Sequence, residues 1–329
     1  MPAATLGVMA TTAGLAAADA RAAADRGRFR GFAWAVLAWN LLVVLWGAYV
    51  RASGSGAGCG DHWPLCNGDV LPRAPQLTTI IEFTHRVSSG IALTLAVVLC
   101  VWAWRSFPAR HVARRAAGLS LLFLLLEALL GAGLVLFRFV AQNESAGRAI
   151  YLSAHLVNTQ LLLAALAMTA FFGAPRTPQL TERWRGTLLA TLGIALAVSI
   201  TGAVAALGDT LYPAPTLAAG VMEDFSAASS VLLRLRLIHP ALAIAGGAWI
   251  AIVTFARTHQ PHTRRLAFAA SLLAIVQLCA GAVNVALRAP IALQIGHLLL
   301  ADLLWICLVL LFLKSREAVQ NAGPSVTTW

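Results

Sequence analysis

Eight apolar stretches recur along this chain of 329 residues, and they constrain its fold more than any other feature. A helix of about 20 apolar residues crosses the roughly 30 Å hydrocarbon core of a membrane. Only 11% of the residues are charged, whereas soluble domains contain about a quarter. The sequence therefore predicts an all-α integral membrane protein whose eight spans lie at residues 31–50, 79–104, 116–137, 149–172, 187–207, 232–256, 266–287 and 291–313.

Basic residues gather on one side of these spans, before span one and after spans two, four, six and eight. Because cytoplasmic loops carry the Lys/Arg excess, both termini are predicted to be cytoplasmic, in the cell (inner) membrane. The basic residues in these loops account for the net charge of +11 as a topology signal, so no nucleic-acid partner is expected. Residues 1–30 lack the order of a signal peptide and are predicted to form a disordered cytoplasmic tail, with a second tail at 314–329.

Spans three and seven repeat one another. The segment from Glu127 to Arg138 aligns without a gap with the segment from Gln277 to Arg288. Two four-helix halves follow, at residues 31–172 and 187–313, joined by a cytoplasmic linker at 173–186. Since each half contains an even number of spans, both have the same orientation, as in parallel membrane repeats.

Each half carries one histidine in its second span and one in its fourth: His85 and His155 in the first half, His239 and His297 in the second. All four lie at a similar depth, about 10 Å from the same end of the helices at 1.5 Å per residue. Histidines on two helices of a four-helix bundle can supply both axial ligands of a haem iron. A lone membrane histidine often only hydrogen-bonds a neighbouring helix, but four at matched depth favour a bis-histidine haem site in each half.

The two halves are chemically unequal beside these histidines. Glu82 lies three residues before His85 and therefore on the same helix face, whereas Arg236 holds that position before His239. A carboxylate at a porphyrin edge can act as a base, a nucleophile or a cation stabiliser, while an arginine suits the propionates. The alternative is that Glu82 only pairs with Arg86 one helical turn away.

Three further features are candidates for function. Cys59 and Cys66 share a short loop on the oxidising side and can form a disulfide. Glu127 and Asp302 are acids within predicted spans, where ionisable groups are functional by default. Either acid could instead only bond a neighbouring helix.

Taken together, these residues resemble the haem A synthase family over residues 31–313. The resemblance rests on Gly47 to Arg51, the loop Cys59-Gly-Asp-His-Trp-Pro-Leu-Cys66, the segment Glu82-Phe-Thr-His85-Arg86, His155, Arg236-Leu-Ile-His239 and His297. It implies that His239 and His297 ligate a resident haem b with Arg236 nearby. It also implies that His85, His155 and Arg86 bind the substrate haem O, beside Glu82 as the catalytic carboxylate.

The resemblance further implies an activity and partners. Members of the family oxidise the C8 methyl group of haem O to a formyl group for terminal oxidase biogenesis, with water as the oxygen source and electrons leaving through haem b. Haem O synthase and an electron acceptor such as quinone are the implied partners, in the lipid bilayer, and homo-oligomerisation is left open. This chain lacks a second cysteine pair in the loop after span five, so disulfide exchange between the halves is not expected.

Two other functions share the four histidines. A di-haem b electron-transfer cytochrome would pass electrons to or from quinone without porphyrin chemistry, and a haem transporter or chaperone would bind haem without changing it. A relay needs neither Glu82 beside one haem nor a cysteine loop, so the contrast between the halves favours the oxidoreductase.

Overall fold

The computed structural model of the chain describes residues 3–174, 185–226 and 229–315. These ranges contain ten α-helices and one short 3-10 helix, Ser55–Ala57. The α-helices are α1 (Ala3–Ala52), α2 (Leu77–Ser106), α3 (Val112–Leu136), α4 (Ala146–Phe172), α5 (Arg185–Leu211), α6 (Leu217–Phe225), α7 (Val231–Leu235), α8 (Ile238–Phe255), α9 (Arg264–Ala286) and α10 (Ile291–Lys314). Within the described ranges, eight segments are long and apolar enough to cross a membrane. The predicted all-α, multi-pass architecture is confirmed.

Helix α1 is much longer than the first predicted span, because it begins at Ala3. The expectation of a disordered tail over residues 1–30 is therefore wrong for the described part of that segment. Alanine has the highest helix propensity, and no proline interrupts the chain between Ala3 and the apolar segment that starts at Ala23. Adding residues to an existing helix avoids the cost of a new nucleus. Of the predicted linker at 173–186, residues 175–184 lie outside the described residues, as does the tail from 316.

The membrane-crossing helices form two rings of four. In the first ring α1, α2, α3 and α4 each contact their neighbours, and in the second α5, α8, α9 and α10 do the same. Contacts of α4 with α5 and α10, and of α1 with α10, join the two rings. Helix α4 is accordingly the most buried span. In its most apolar window 67% of the residues are buried, against 17–44% in the other spans.

The internal repeat extends to the turns after α3 and α9. Arg138 and Arg288, which match in the sequence alignment, have left-handed backbone angles with φ of 57° and 60°. The Arg138 amide donates to the Val135 carbonyl at 3.0 Å, and the Arg288 amide donates to the Val285 carbonyl at 3.0 Å. This conformation after a helix is usually adopted by glycine or asparagine. Its presence at the same register in both halves shows that the repeat is structural.

The sixth predicted span is not one continuous helix. It is divided into α7 and α8, with Arg236 at the break and His239 in the first turn of α8. Pro240 has no amide hydrogen to donate to the Arg236 carbonyl one turn earlier, and proline is tolerated in the first turn of a helix. The predicted loop between α5 and this span also contains α6.

Candidate functional site

A cavity of about 1050 Å³ lies between the helices of both halves and is lined by His85, His155, His239 and His297. Pockets for drug-sized ligands span about 300–1,000 Å³, so this one is large. The structure thus brings all four predicted histidines to one cavity, together with Glu82.

Glycines on the first helix of each half lie against the histidines. A Cβ atom at Gly47 of α1 would lie 2.9 Å from Cε1 of His85, and one at Gly202 of α5 would lie 3.0 Å from Cε1 of His239. Any side chain at either position would displace the imidazole. The same packing at equivalent places in both halves fixes the rings in position, and the sequence analysis did not single out Gly202.

The histidines of each half are neighbours. His85 and His155 are close enough for their charges to interact, and so are His239 and His297. Within the described part of the chain, Nδ1 of His85, His155 and His297 is buried in each case and makes no hydrogen bond, although Nδ1 of His155 has the carboxylate of Glu127 within ion-pairing distance. Two imidazoles facing a large, mostly apolar cavity from different helices suit a metal-centred macrocycle, so these residues fit a haem in each half.

His155 contacts Glu127, an acid for which the sequence indicated no specific role. Oε1 of Glu127 lies 3.3 Å from Nδ1 of His155, and the carboxylate also accepts hydrogen bonds from Asn158 and Thr159. In the second half Gln277 holds the matching sequence position but contacts the other ring nitrogen, with its Nε2 3.2 Å from Nε2 of His297. The two halves therefore differ at a second acidic position, as the alignment of Glu127 with Gln277 already indicates.

Glu82 is 4% exposed and lines the cavity. Its Oε2 accepts a 2.8 Å hydrogen bond from the Cys59 amide, and its Oε1 accepts from Nε and Nη2 of Arg86. Nη1 of Arg86 also donates to the carbonyls of His62 and Leu65, both at 2.7 Å. The ion pair that formed the alternative explanation of Glu82 is thus present, and it ties the loop to α2 beside the cavity.

The loop itself is closed by a disulfide between Cys59 and Cys66, as predicted. The Asn67 amide donates to the Cys59 carbonyl at 3.0 Å, and the Cys66 amide donates to the Asp69 carbonyl at the same distance. Trp63 in this loop lines the cavity. The disulfide loop therefore forms one end of the site, hereafter the loop end.

Arginines gather at this loop end. Nη1 of Arg236 lies 3.0 Å from Asp209 and its Nη2 lies 2.6 Å from Asp224, two acids that the sequence analysis did not connect with it. Arg51 and Arg148 also line the cavity, and neither was predicted as a site residue. Arginine side chains are consequently concentrated near the loop, where the acids Glu82 and Asp209 also line the cavity.

Fold and site together define a class: a polytopic helical membrane protein made of two like halves, with histidines converging on a cavity that a disulfide loop closes. A family model described as cytochrome oxidase assembly protein, COX15-CtaA, matches residues 30–309. The chain belongs to this family.

The curated relatives of this chain carry two different names. A protoheme IX farnesyltransferase of Thermus thermophilus is 46% identical over 297 residues, which are 88% of this chain and 49% of that protein. A heme A synthase of Halalkalibacterium halodurans is 37% identical over 50% of this chain and 54% of that protein, and one of Alkalihalophilus pseudofirmus is 41% identical over 30% and 33%. The chain spans about half the length, or less, of these relatives.

Proposed function

We propose that the chain is a haem A synthase, an oxidoreductase that converts the C8 methyl group of haem O to a formyl group. Family membership and the relatives named heme A synthase support this activity. The observation that carries the proposal is the inequality of the halves. Each half directs two histidines into one cavity, but only the first half has carboxylates, Glu82 and Glu127, at the positions where the second has Arg236 and Gln277.

The second half is the proposed site of a resident haem b, with His239 and His297 as its iron ligands. Such a haem supplies a one-electron acceptor that can pass electrons onward. Thr201 Oγ1 lies 3.2 Å from Nδ1 of His239 and orients the ring, leaving Nε2 for the metal. Arg236, already neutralised by Asp209 and Asp224, is proposed to support the propionate side of this site.

The first half is the proposed site of the substrate, between His85 and His155. A carboxylate at Nδ1 of a histidine fixes the tautomer that directs Nε2 to a metal. Glu127 is placed to do this for His155. Among the described residues Nδ1 of His85 has neither a hydrogen bond nor such an ion pair, which suits a site that must take up and release its haem.

Glu82 is the proposed catalytic carboxylate. Oxidation of a methyl group to a formyl group with water as the oxygen source releases electrons and protons in equal number. A carboxylate beside the methyl carbon can stabilise the positive charge that develops there or accept a proton. The Cys59 amide and Arg86 hold the orientation of Glu82, so both groups are proposed as positioning elements, with Arg86 also lining the substrate side of the cavity.

The proposed setting is the cell (inner) membrane, with both termini in the cytoplasm and a quinone as the electron acceptor. The relative from Thermus thermophilus is named for farnesyl transfer to protohaem IX, and this chain matches only half of its length. We therefore propose a protohaem IX farnesyltransferase, the enzyme that forms haem O, as a neighbour of this chain. Co-purification of the two full-length proteins from membranes tests this partner.

The activity is tested by expressing the chain with a haem O source, then extracting and chromatographing the haems. Wild type is expected to yield haem A, and Glu82→Gln to retain haem b with little haem A. Glu144→Gln is the matched control, because Glu144 is an outer-loop carboxylate that bonds Tyr212 away from the histidines. Haem b without any haem A in wild type would favour the electron-transfer cytochrome, and normal haem A from Glu82→Gln would reject the catalytic role.

A further inference from the structure

The cavity has two chemically different ends. Towards the loop end, Arg236 precedes His239 by three residues. In the opposite direction, Gln160 follows His155 by five residues and Asp302 follows His297 by five, which is about 7.5 Å along each helix axis at 1.5 Å per residue. Cationic side chains thus line the loop end of the cavity. The amide of Gln160 and the carboxyl group of Asp302 line its other end, past the histidines.

Gln160 and Asp302 lie on helices of different halves and bond one another. Nε2 of Gln160 donates to Oδ1 of Asp302 at 2.9 Å, and the two residues are 1% and 0% exposed. Both line the cavity. Oε1 of Gln160 and Oδ2 of Asp302 are buried and have no hydrogen-bond partner in the described part of the chain. Leaving a buried polar group without a partner costs about 1–3 kcal/mol, so the pair holds two unmet hydrogen-bond acceptors at the wall of the cavity.

We propose that Gln160 and Asp302 bind the hydroxyl group on the long alkyl substituent of haem O and thereby select this haem over haem B. The inference rests on the proposed function and adds a specificity site to it. Propionates favour arginines, so the propionate edge of the porphyrin faces the loop end. The opposite edge, which carries the hydroxyalkyl chain in haem O, then faces Gln160 and Asp302.

The chemistry of the pair matches this group. A hydroxyl both donates and accepts, and it is the one strong donor on that edge of haem O. Leu162 and Leu304, each two residues beyond a member of the pair, also line the cavity and give the hydrocarbon chain an apolar surface. Haem B has no such hydroxyl. A site built to bond a hydroxyl discriminates strongly against a ligand that lacks it, because its polar groups are then left unpartnered.

The test is competitive loading of haem b-loaded, full-length protein in lipid nanodiscs with equal amounts of haem O and haem B. The bound haems are then extracted and chromatographed, and the resident haem b present before loading is subtracted. The double variant Gln160→Leu/Asp302→Leu removes both polar partners with little change in volume, which is often nearly neutral for stability. Thr169→Val is the matched control, since Thr169 is a fully buried polar residue of the same helix α4. Asp302→Asn, which keeps a hydrogen-bonding group, is the conservative variant.

We expect the ratio of bound haem O to bound haem B to fall about tenfold in the double variant, the worth of about one buried hydrogen bond. The ratio is expected to stay at the wild-type value in Thr169→Val. In Asp302→Asn it is expected to lie between the values of the wild type and the double variant. An unchanged ratio, or an equal loss of both haems in the double variant, would overturn the inference and leave the pair as a helix-to-helix bond. Wild-type protein that takes up neither haem would refute the proposed function itself.

Discussion

Replacing Glu127 by glutamine is the sharpest test of the inequality between the halves, because it installs the residue that the second half has at the matching position. The change removes the charge 3.3 Å from Nδ1 of His155 and preserves the size of the side chain. One oxygen remains to accept a hydrogen bond from Thr159 or Asn158, so the contact between α3 and α4 survives in part. The perturbation is therefore directed at His155 rather than at the fold.

The size of the effect follows from the role of the contact. A carboxylate that accepts the second N–H of a metal-bound histidine raises the basicity of the ligand, and losing such a partner weakens metal affinity about 10- to 100-fold. We expect the affinity of Glu127→Gln for haem O to fall by that factor, which corresponds to about 1.4–2.8 kcal/mol. The content of haem b is expected to stay at the wild-type level, because His239 and His297 do not contact Glu127 in the described structure.

The assay is a spectroscopic titration of the haem b-loaded protein with haem O. Gln277→Glu is the matched control in the other half, where a carboxylate beside His297 should lower the midpoint potential of haem b by stabilising the ferric iron. If Glu127→Gln binds haem O with wild-type affinity while keeping its haem b, Glu127 serves only to join α3 to α4.

Three other predictions concern separate parts of the molecule. His239→Ala should lose the b-type spectrum while the protein remains in the membrane, and a wild-type spectrum would reject His239 as a ligand. Cys59 and Cys66 should react with thiol reagents only after reduction, unlike the exposed free Cys279; labelling at Cys59 or Cys66 in air-purified protein without reductant would contradict the disulfide. The hydrogen bond from Tyr212 to Glu144 raises the pKa of Tyr212, so this link should be present at neutral pH and open as the pH rises through that raised pKa, as ultraviolet absorbance of wild type against Glu144→Gln would show.

The sequence predicts the spans, the repeat and the histidine cavity because their signals are local. Apolar length defines a span, and fixed spacing puts Glu82 and His85 on one helix face. Pro240 is a sequence signal for the break between α7 and α8. A prediction from apolar length alone does not detect that break. The prediction of a disordered tail over residues 3–30 fails because a segment without the order of a signal peptide can still be helical, and its alanine content favours helix.

Apart from the Glu82–Arg86 pair within one helix, the partners of the charged side chains could not be predicted, since they depend on loops that return to the site from distant parts of the chain. Arg236 meets Asp224 of α6 and Asp209 of α5 only because the segment between α5 and α7 folds back. The amide of Cys59 reaches Glu82 across 23 residues. Spacing rules apply within a helix, and they carry no information about such contacts.

The contacts between the halves explain how a duplicated bundle came to need both copies. Arg51 on α1 donates to Thr210 on α5 at 2.7 Å and to Gln294 on α10 at 3.1 Å, and Gln160 on α4 bonds Asp302 on α10. A half on its own would expose these groups to lipid, where each unsatisfied polar group costs several kcal/mol. The halves must therefore fold together, and once they do, each is free to change its own histidine environment. In the proposed function one half then holds a permanent electron acceptor, while the other carries the carboxylates that orient an exchanging substrate and assist its oxidation.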